Sequence, residues 1–337
     1  MHFWETPPQR PPSEAYSLLI RATRNCPWGR CEFCGNYRGP KFAIRPVEEI
    51  KRDIRQAKAA ADDMKAWAER IGCSDRIGFV AKANGMPWLG DGVVKHVFIG
   101  DADSPIMKTK DLADILVFLH ETFPRLERVT TYARAKTLLR KSAEDLKILR
   151  QAGLTRLHVG LESGDDDILE YIHKGTTADE MIRSGQKVRE AGFELSEYIM
   201  PGLGGTERWR QHVSGTALVL NRIDPQFIRL RTLNLGMVPE VPLFAKNRRG
   251  EFTLQSLAGL VTEVRTLIEA LAVTSEIIVS DFALNYYLLD IDGRLPEDRE
   301  RMYRTLDSAL VMARQKDDER ENARRQRESQ SQDDRQS

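Results

Sequence analysis

Three of the four cysteines fall within one nine-residue stretch, Cys26-Pro-Trp-Gly-Arg-Cys31-Glu-Phe-Cys34. Thiolates are soft ligands and suit zinc, copper(I) or an iron–sulfur cluster. A structural zinc site takes four protein ligands, so a fourth would have to be Cys73 or a histidine, and the chain has no second C-x2-C pair. A [4Fe–4S] cluster held by three cysteines leaves one iron open to a substrate or cofactor, and the ligand count favours it. Buried, inert thiols fit poorly, because Pro, Gly, Arg and Glu between the cysteines describe an exposed turn. The remaining histidines have no metal-binding spacing, and Cys73 reads as a small buried or incidental thiol.

The elements around this loop form a regular series. Tyr16 to Ala22 is a short apolar run that predicts a strand leading into the cysteines. Pro46 to Arg70 has helical spacing, with Pro46 suited to a first turn. From Gly72 to Lys95 the chain is irregular and reads as an insertion. Strands are then predicted at His96–Gly100, Arg128–Ala133, Arg156–Glu162, Phe193–Met200 and Phe227–Leu233. Helices are predicted between them at Asp111–Thr122, Ser142–Ala152, Asp165–His173, Ala178–Ala191 and Glu207–Asn221, two of them opened by capping boxes at Ser142 and Thr177. Six strands alternating with helices argue for an α/β fold of parallel strands with right-handed crossovers, a doubly wound sheet or a barrel.

The cysteine loop, with Phe33 immediately before its last cysteine, resembles the radical S-adenosylmethionine (SAM) superfamily, here in a C-x4-C-x2-C variant of the usual C-x3-C-x2-C. Further sites, each at the carboxyl end of a predicted strand, strengthen the resemblance; chemistry gathers at that end of a barrel. Gly100-Asp101-Ala102-Asp103 resembles the glycine-rich motif that holds the methionine amino group, with Asp101 or Asp103 as the acid. Gly160-Leu-Glu162-Ser-Gly is similar to the segment whose acidic or amide side chain bonds the ribose hydroxyls, and a carboxylate suits a vicinal diol. Lys174 falls where porphyrinogen-oxidase-like members place a cation for the methionine carboxylate. Glu197-Tyr-Ile-Met-Pro201-Gly202 resembles the adenine-binding region, with Glu197 as a second ribose contact and Pro201 and Gly202 beside the base. The segment from Arg128 to Leu235 resembles family members usually described no further than as radical SAM proteins.

The resemblance implies a partial (β/α)6 TIM-like barrel over 16–235. An N-terminal arm (1–15) would precede it, and a mostly helical extension (236–314) and a disordered tail (315–337) would follow. In the extension, helices are expected near Thr253–Ala272 and Glu297–Arg314, with a strand at Tyr286–Asp290. It also implies that Cys26, Cys31 and Cys34 hold a [4Fe–4S] cluster whose fourth iron chelates SAM. A flavodoxin- or ferredoxin-like donor would reduce the cluster, and a 5′-deoxyadenosyl radical would abstract hydrogen from a small-molecule substrate. Phe33 would pack beside the adenine side of the loop.

Strand alternation puts His158 and Gly160 in step with Glu162, Tyr132 in step with Arg134, and Arg229 in step with Arg231. Arg134 and the Arg229/Arg231 pair are expected to reach the cofactor carboxylate or an acidic substrate. A cluster-containing heme- or cofactor-binding protein without turnover, and a structural zinc protein, are the other readings.

Composition sets the outer limits. The 337 residues carry 51 Lys+Arg against 50 Asp+Glu, so no global field gathers nucleic acid. No apolar run is long enough for a membrane span. Sparse cysteines predict a reducing, cytoplasmic setting.

Overall fold

The computed structural model describes residues 3–237, 240–279 and 289–336. The chain enters the sheet at β1 (Leu18–Arg21), followed by the short β2 (Thr23–Arg24), the cysteine loop and β3 (Ala43–Ile44), which pairs back on β2. Next come α1 (Val47–Arg70) and α2 (Ile77–Ala83), so the predicted irregular insertion contains a short helix. The regular series then runs β4 (His96–Gly100), α3 (Thr109–Thr122), β5 (Arg128–Ala133), α4 (Ala135–Arg140), α5 (Ala143–Gln151), β6 (Arg156–Glu162), α6 (Asp166–Tyr171), α7 (Ala178–Glu190), β7 (Glu194–Ile199), α8 (Gly205–Ile223) and β8 (Phe227–Leu230). The rest is α9 (Pro242–Arg248), α10 (Leu257–Ala270), β9 (Glu276–Val279), β10 (Gly293–Arg294) and α11 (Arg299–Gln336).

One eight-stranded sheet runs β1-β4-β5-β6-β7-β8-β9-β10, parallel throughout except for β10. The six predicted strands are the first six, in chain order, and the fold is an α/β partial barrel with a C-terminal helix. Both expected capping boxes form, at Ser142 with Asp145 and at Thr177 with Glu180. The core lies between the sheet and its helices: Leu18, Ile20, Val97, Ile99, Leu157, Leu195 and Ile228 pack against Ile50, Leu116, Leu149, Val188 and Leu220.

Four features differ from expectation. The extension contributes two strands, because α10 crosses back over α8 and delivers β9 beside β8 as a seventh parallel strand. The strand expected at Tyr286–Asp290 lies outside the described residues up to 288, and 289–291 form a 3-10 turn. The charged tail continues α11 to Gln336 rather than leaving as coil. Its Arg, Glu, Gln and Ala residues are good helix formers, and Asp317 accepts from the first N–H groups of α10, at Leu257 (3.1 Å) and Ala258 (2.8 Å). The N-terminal arm is packed: Trp4 donates to the Leu19 carbonyl, Pro7 lies against Gly100, and Glu14 is fully buried beside His158 and Arg128. The arm thus runs from the carboxyl end of β4 down to the amino end of β5 before entering β1.

Candidate functional site

A cavity of about 240 Å³ opens at the carboxyl ends of the strands. Its wall includes Cys26, Cys31 and Cys34, together with Phe33, Ala102, Arg134, Glu162 and Lys174. Lumen-facing Tyr132, His158 and Tyr198 form its floor, with ring centroids 5.8 Å apart for Tyr132–His158 and 5.6 Å for His158–Tyr198. The alternation read from the sequence therefore holds for Tyr132, Arg134, His158, Gly160 and Arg231, all of which line the cavity. Arg229 faces the same way, in register with Tyr198 and 5.9 Å over its ring, but lies buried below the cavity, with its Nε donating to Ser196 Oγ at 2.9 Å.

The cysteine loop is held from three sides. Asp101, buried at the end of β4, accepts from Arg21 Nη2 (2.7 Å), from the Asn25 N–H (2.9 Å) and from the Tyr37 hydroxyl (2.7 Å). One carboxylate thus clamps the chain just before Cys26 and just after Cys34. On a second side the four-residue spacer brings in Trp28, whose Nε1 donates to the His173 carbonyl at 2.7 Å. Gly175 makes room for this ring: its φ is +72°, and a Cβ there would lie 2.3 Å from Trp28 Cζ2. On the third side the Glu32 carbonyl accepts from the Leu243 N–H (3.1 Å), and its carboxylate pairs with Lys246 (2.6 Å) and His173 (3.2 Å). Phe33 packs on the second apolar cluster, formed by Ile172, Leu203, Leu233 and Leu243. The extension therefore helps to position the cluster loop, a role the sequence reading did not foresee.

The donor set fits an iron–sulfur cluster. All four cysteines are free, and burial pushes the Cys31 thiol up to about 11 and raises Cys34 as well. Such thiols stay protonated without a metal and become thiolates on meeting one, which is ligand behaviour rather than that of a free nucleophile. The backbone N–H groups of Asn36 and Tyr37 partly offset the effect of burial at Cys34. Among the described residues, no three of His, Cys, Asp and Glu converge on one ion-sized point.

Glu162 stands at the bulge where β6 meets β7, in the left-handed region at φ +64°. A non-glycine residue held there is strained, and such strain gathers at functional sites. Its carboxylate pairs with Lys174 Nζ at 2.8 Å, and Gly160 leaves the space: a Cβ there would sit 2.3 Å from Glu162 Oε1. Burial works against the charge on Lys174, but the adjacent Glu162 carboxylate outweighs it and leaves Lys174 more basic than a free lysine. Below the bend, His212 donates from Nε2 to the Glu162 carbonyl (3.1 Å) and from Nδ1 to Glu263 (2.9 Å), which also accepts from the Gly202 N–H at 2.9 Å. His212 and Glu263 were not singled out from the sequence, because their partners lie about fifty residues away. Arg134 stacks over Trp28, 5.1 Å from the ring centroid, and donates to the Lys174 carbonyl at 3.2 Å.

Other expected contacts sit elsewhere. The Asp101 carboxylate is occupied by the clamp. Asp103 is fully buried and accepts from Thr137 Oγ1 (2.5 Å) and the Arg134 N–H (3.2 Å); burial pushes it up to about 6. Of Gly100, Asp101, Ala102 and Asp103, only Ala102 reaches the wall. Glu197 is in register with Val159, on the opposite face from Tyr198, and is buried behind the wall. Pro201 and Gly202 are buried in the turn after β7 and do not line the cavity.

Residues 88–213 match the Radical SAM superfamily, a segment that begins after the cysteine loop. Over 134 residues the chain is 31% identical to the heme chaperone HemW of Bacillus subtilis, covering 39% of this chain and 35% of that protein. Over 64 residues, 19% of this chain and 12% of the other, it is 27% identical to the tRNA uridine(34) acetyltransferase of Methanocaldococcus jannaschii. The chain spans about a third or less of the length of these curated relatives. Coproporphyrinogen III oxidase (HemN) from Escherichia coli is similar in structure at a TM-score of 0.48 and 14% identity, covering 75% of this chain and 51% of the other. The family match over residues 88–213, together with the parallel partial barrel and the three-thiol loop at its carboxyl end, makes this part of the chain a radical SAM domain, of the superfamily whose cofactors are a [4Fe–4S] cluster and SAM.

Proposed function

We propose that this chain is a radical SAM enzyme acting on a small molecule held in the barrel lumen. The observation that carries the reading is the single cavity in which Cys26, Cys31 and Cys34 share a wall with the Glu162–Lys174 pair. When bound, the cluster and SAM supply one-electron cleavage of the sulfonium, which yields a carbon-centred acceptor of substrate hydrogen. The three thiols hold the cluster. Glu162, strained and aimed into the cavity, accepts the ribose hydroxyls, while Lys174 and Arg134 receive the methionine carboxylate. Phe33, anchored on the second apolar cluster, shields the loop from water. The arm, through Gln9, Arg10 and Pro11, closes the same cavity from the front, and exclusion of water and a fixed substrate position are the protein's own share of the catalysis. A flavodoxin- or ferredoxin-like donor provides the electron.

The similarity to a heme chaperone supports a second reading, a cluster-bearing heme or cofactor binder without turnover. Anaerobic reconstitution tests both. A brown protein holding about four irons per chain and releasing 5′-deoxyadenosine after reduction supports the enzyme. Cluster without 5′-deoxyadenosine leaves the binder, and a colourless protein carrying one zinc overturns both.

A further inference from the structure

We propose that the cavity beside the cysteines receives a small organic acid, whose carboxylate or phosphate oxygens are taken by Arg10 from the arm and Arg231 from the end of β8. This rests on the cluster and SAM reading above and names the class of substrate.

The argument is one of charge. Five basic side chains line the cavity, Arg10, Arg134, Lys136, Lys174 and Arg231, against the single carboxylate of Glu162. Glu162 is already paired with Lys174, and Lys136 lies 3.5 Å from Glu180. Arg134 is taken up by the Trp28 ring, the Lys174 carbonyl and the methionine carboxylate assigned to it above. Arg10 and Arg231 have no carboxylate partner among the described residues. The cofactors do not cancel this excess. Three thiolates on an oxidised cluster core leave one formal negative charge, and SAM chelating through an unprotonated amine and its carboxylate would add none, so together they would offset one cation of the surplus. A loaded cavity therefore keeps its surplus cations, and the two that lack a carboxylate partner, Arg10 and Arg231, stand exposed at its mouth, open to an incoming anion.

Oxyanions on the remaining ligand satisfy them, and the planar guanidinium fork is suited to carboxylate and phosphate alike. The positions also suit one small ligand. The Arg231 N–H is fixed to the Ile199 carbonyl at 3.0 Å, which holds its backbone just beyond β8, and the residue lines the cavity together with Tyr132 and Tyr198. The floor of Tyr132, His158 and Tyr198 offers apolar ring faces to a carbon skeleton. Acidic groups at the rim would hold that skeleton on the lumen side of the cysteines.

The test is calorimetric titration of the anaerobically reconstituted, SAM-loaded full chain at low ionic strength with citrate, inorganic pyrophosphate and, as a neutral control, glycerol. At least one anion is expected to saturate while glycerol does not; tighter citrate assigns a carboxylic acid, tighter pyrophosphate a phosphate ester. Arg231→Gln and Arg10→Gln are each expected to weaken the anion about tenfold or more, while SAM affinity stays within about twofold. Protein that assembles its cluster and binds SAM but saturates with neither anion overturns the anion site alone. So does anion binding unchanged in both variants, and so does a parallel loss of SAM affinity, which would place the arginines in the cofactor site. Protein that assembles no cluster overturns the underlying reading, and the acid site with it.

Discussion

The Tyr37 hydroxyl donates to Asp101 at 2.7 Å across 64 residues of chain. On its other oxygen the same carboxylate accepts from Arg21 and the Asn25 N–H, so the two ends of the cysteine loop are tied to one buried anion on β4. Tyr37→Phe removes one charge-assisted bond and leaves the other two. It is expected to cost about 1.5–3 kcal/mol of stability and to speed iron loss to a chelator several-fold. Asp101→Ala, which also leaves the Asn25 N–H without its acceptor and Arg21 with only Glu5 and the Thr23 carbonyl, is expected to lose iron faster still. Denaturant melts and chelator time courses measure both, and iron retention equal to wild type in Asp101→Ala would remove the clamp from any role in holding the cluster.

Cys31→Ala isolates the ligand from the fold. The thiol stands on the cavity wall, and the core between sheet and helices includes none of the three cysteines. Iron content is expected to fall to background while the far-ultraviolet circular dichroism and the melting temperature remain close to those of the metal-free wild type. Full iron content in the variant would refute the ligand assignment.

Glu162→Gln keeps the shape of the side chain, accepts fewer bonds and breaks the ion pair with Lys174. SAM affinity is expected to drop about tenfold or more, the loss of one or two charged hydrogen bonds, with iron content unchanged. Equilibrium binding of SAM to the reconstituted variant checks this; unchanged affinity would take Glu162 out of the ribose site. Glu162→Gly, which relieves the φ +64° backbone, separates the two contributions: it should gain backbone ease and still bind SAM weakly.

Much of the frame was legible because β4 to β8 obey short-range rules. Apolar runs of four to seven residues, turn residues and two capping boxes place every element of that stretch except the short α4 within a few positions of its observed bounds. The cysteine loop was legible for a different reason, since ligand type and spacing are local. What escaped notice was carried by long-range contacts. Trp28 looks like spacer until its ring is found on Gly175, and Asp101 looks like a cofactor acid until Arg21 and Tyr37 surround it. The β9 strand is short, and its only mark of membership is where α10 delivers it. Residues 315–336 have no apolar stripe, so periodicity is silent. Their helix is helped by pairs such as Glu321–Arg325 and anchored early by Asp317.

Glu197 allows the clearest pH test. The side chain is buried, its Oε2 has no hydrogen-bond partner, and burial pushes its carboxyl up to about 8 from an ordinary value of 4.5. Between those two values the folded protein holds a proton that the unfolded chain has released. Raising the pH from 4.5 towards 8 therefore draws stability away from the native state, and the full loss is reached once the folded carboxyl itself ionises. Glu197→Gln carries no titrating proton and escapes this slope. The variant is expected to match wild type near pH 4.5 and to become progressively more stable than wild type up to pH 8, beyond which the difference should level off. Denaturant melts of both proteins at half-unit pH steps give the curve directly. A difference that is flat across this range would mean that Glu197 is ionised in the folded protein, stabilised by the nearby Lys174, and SAM binding to the variant would then decide whether that charge serves the ribose.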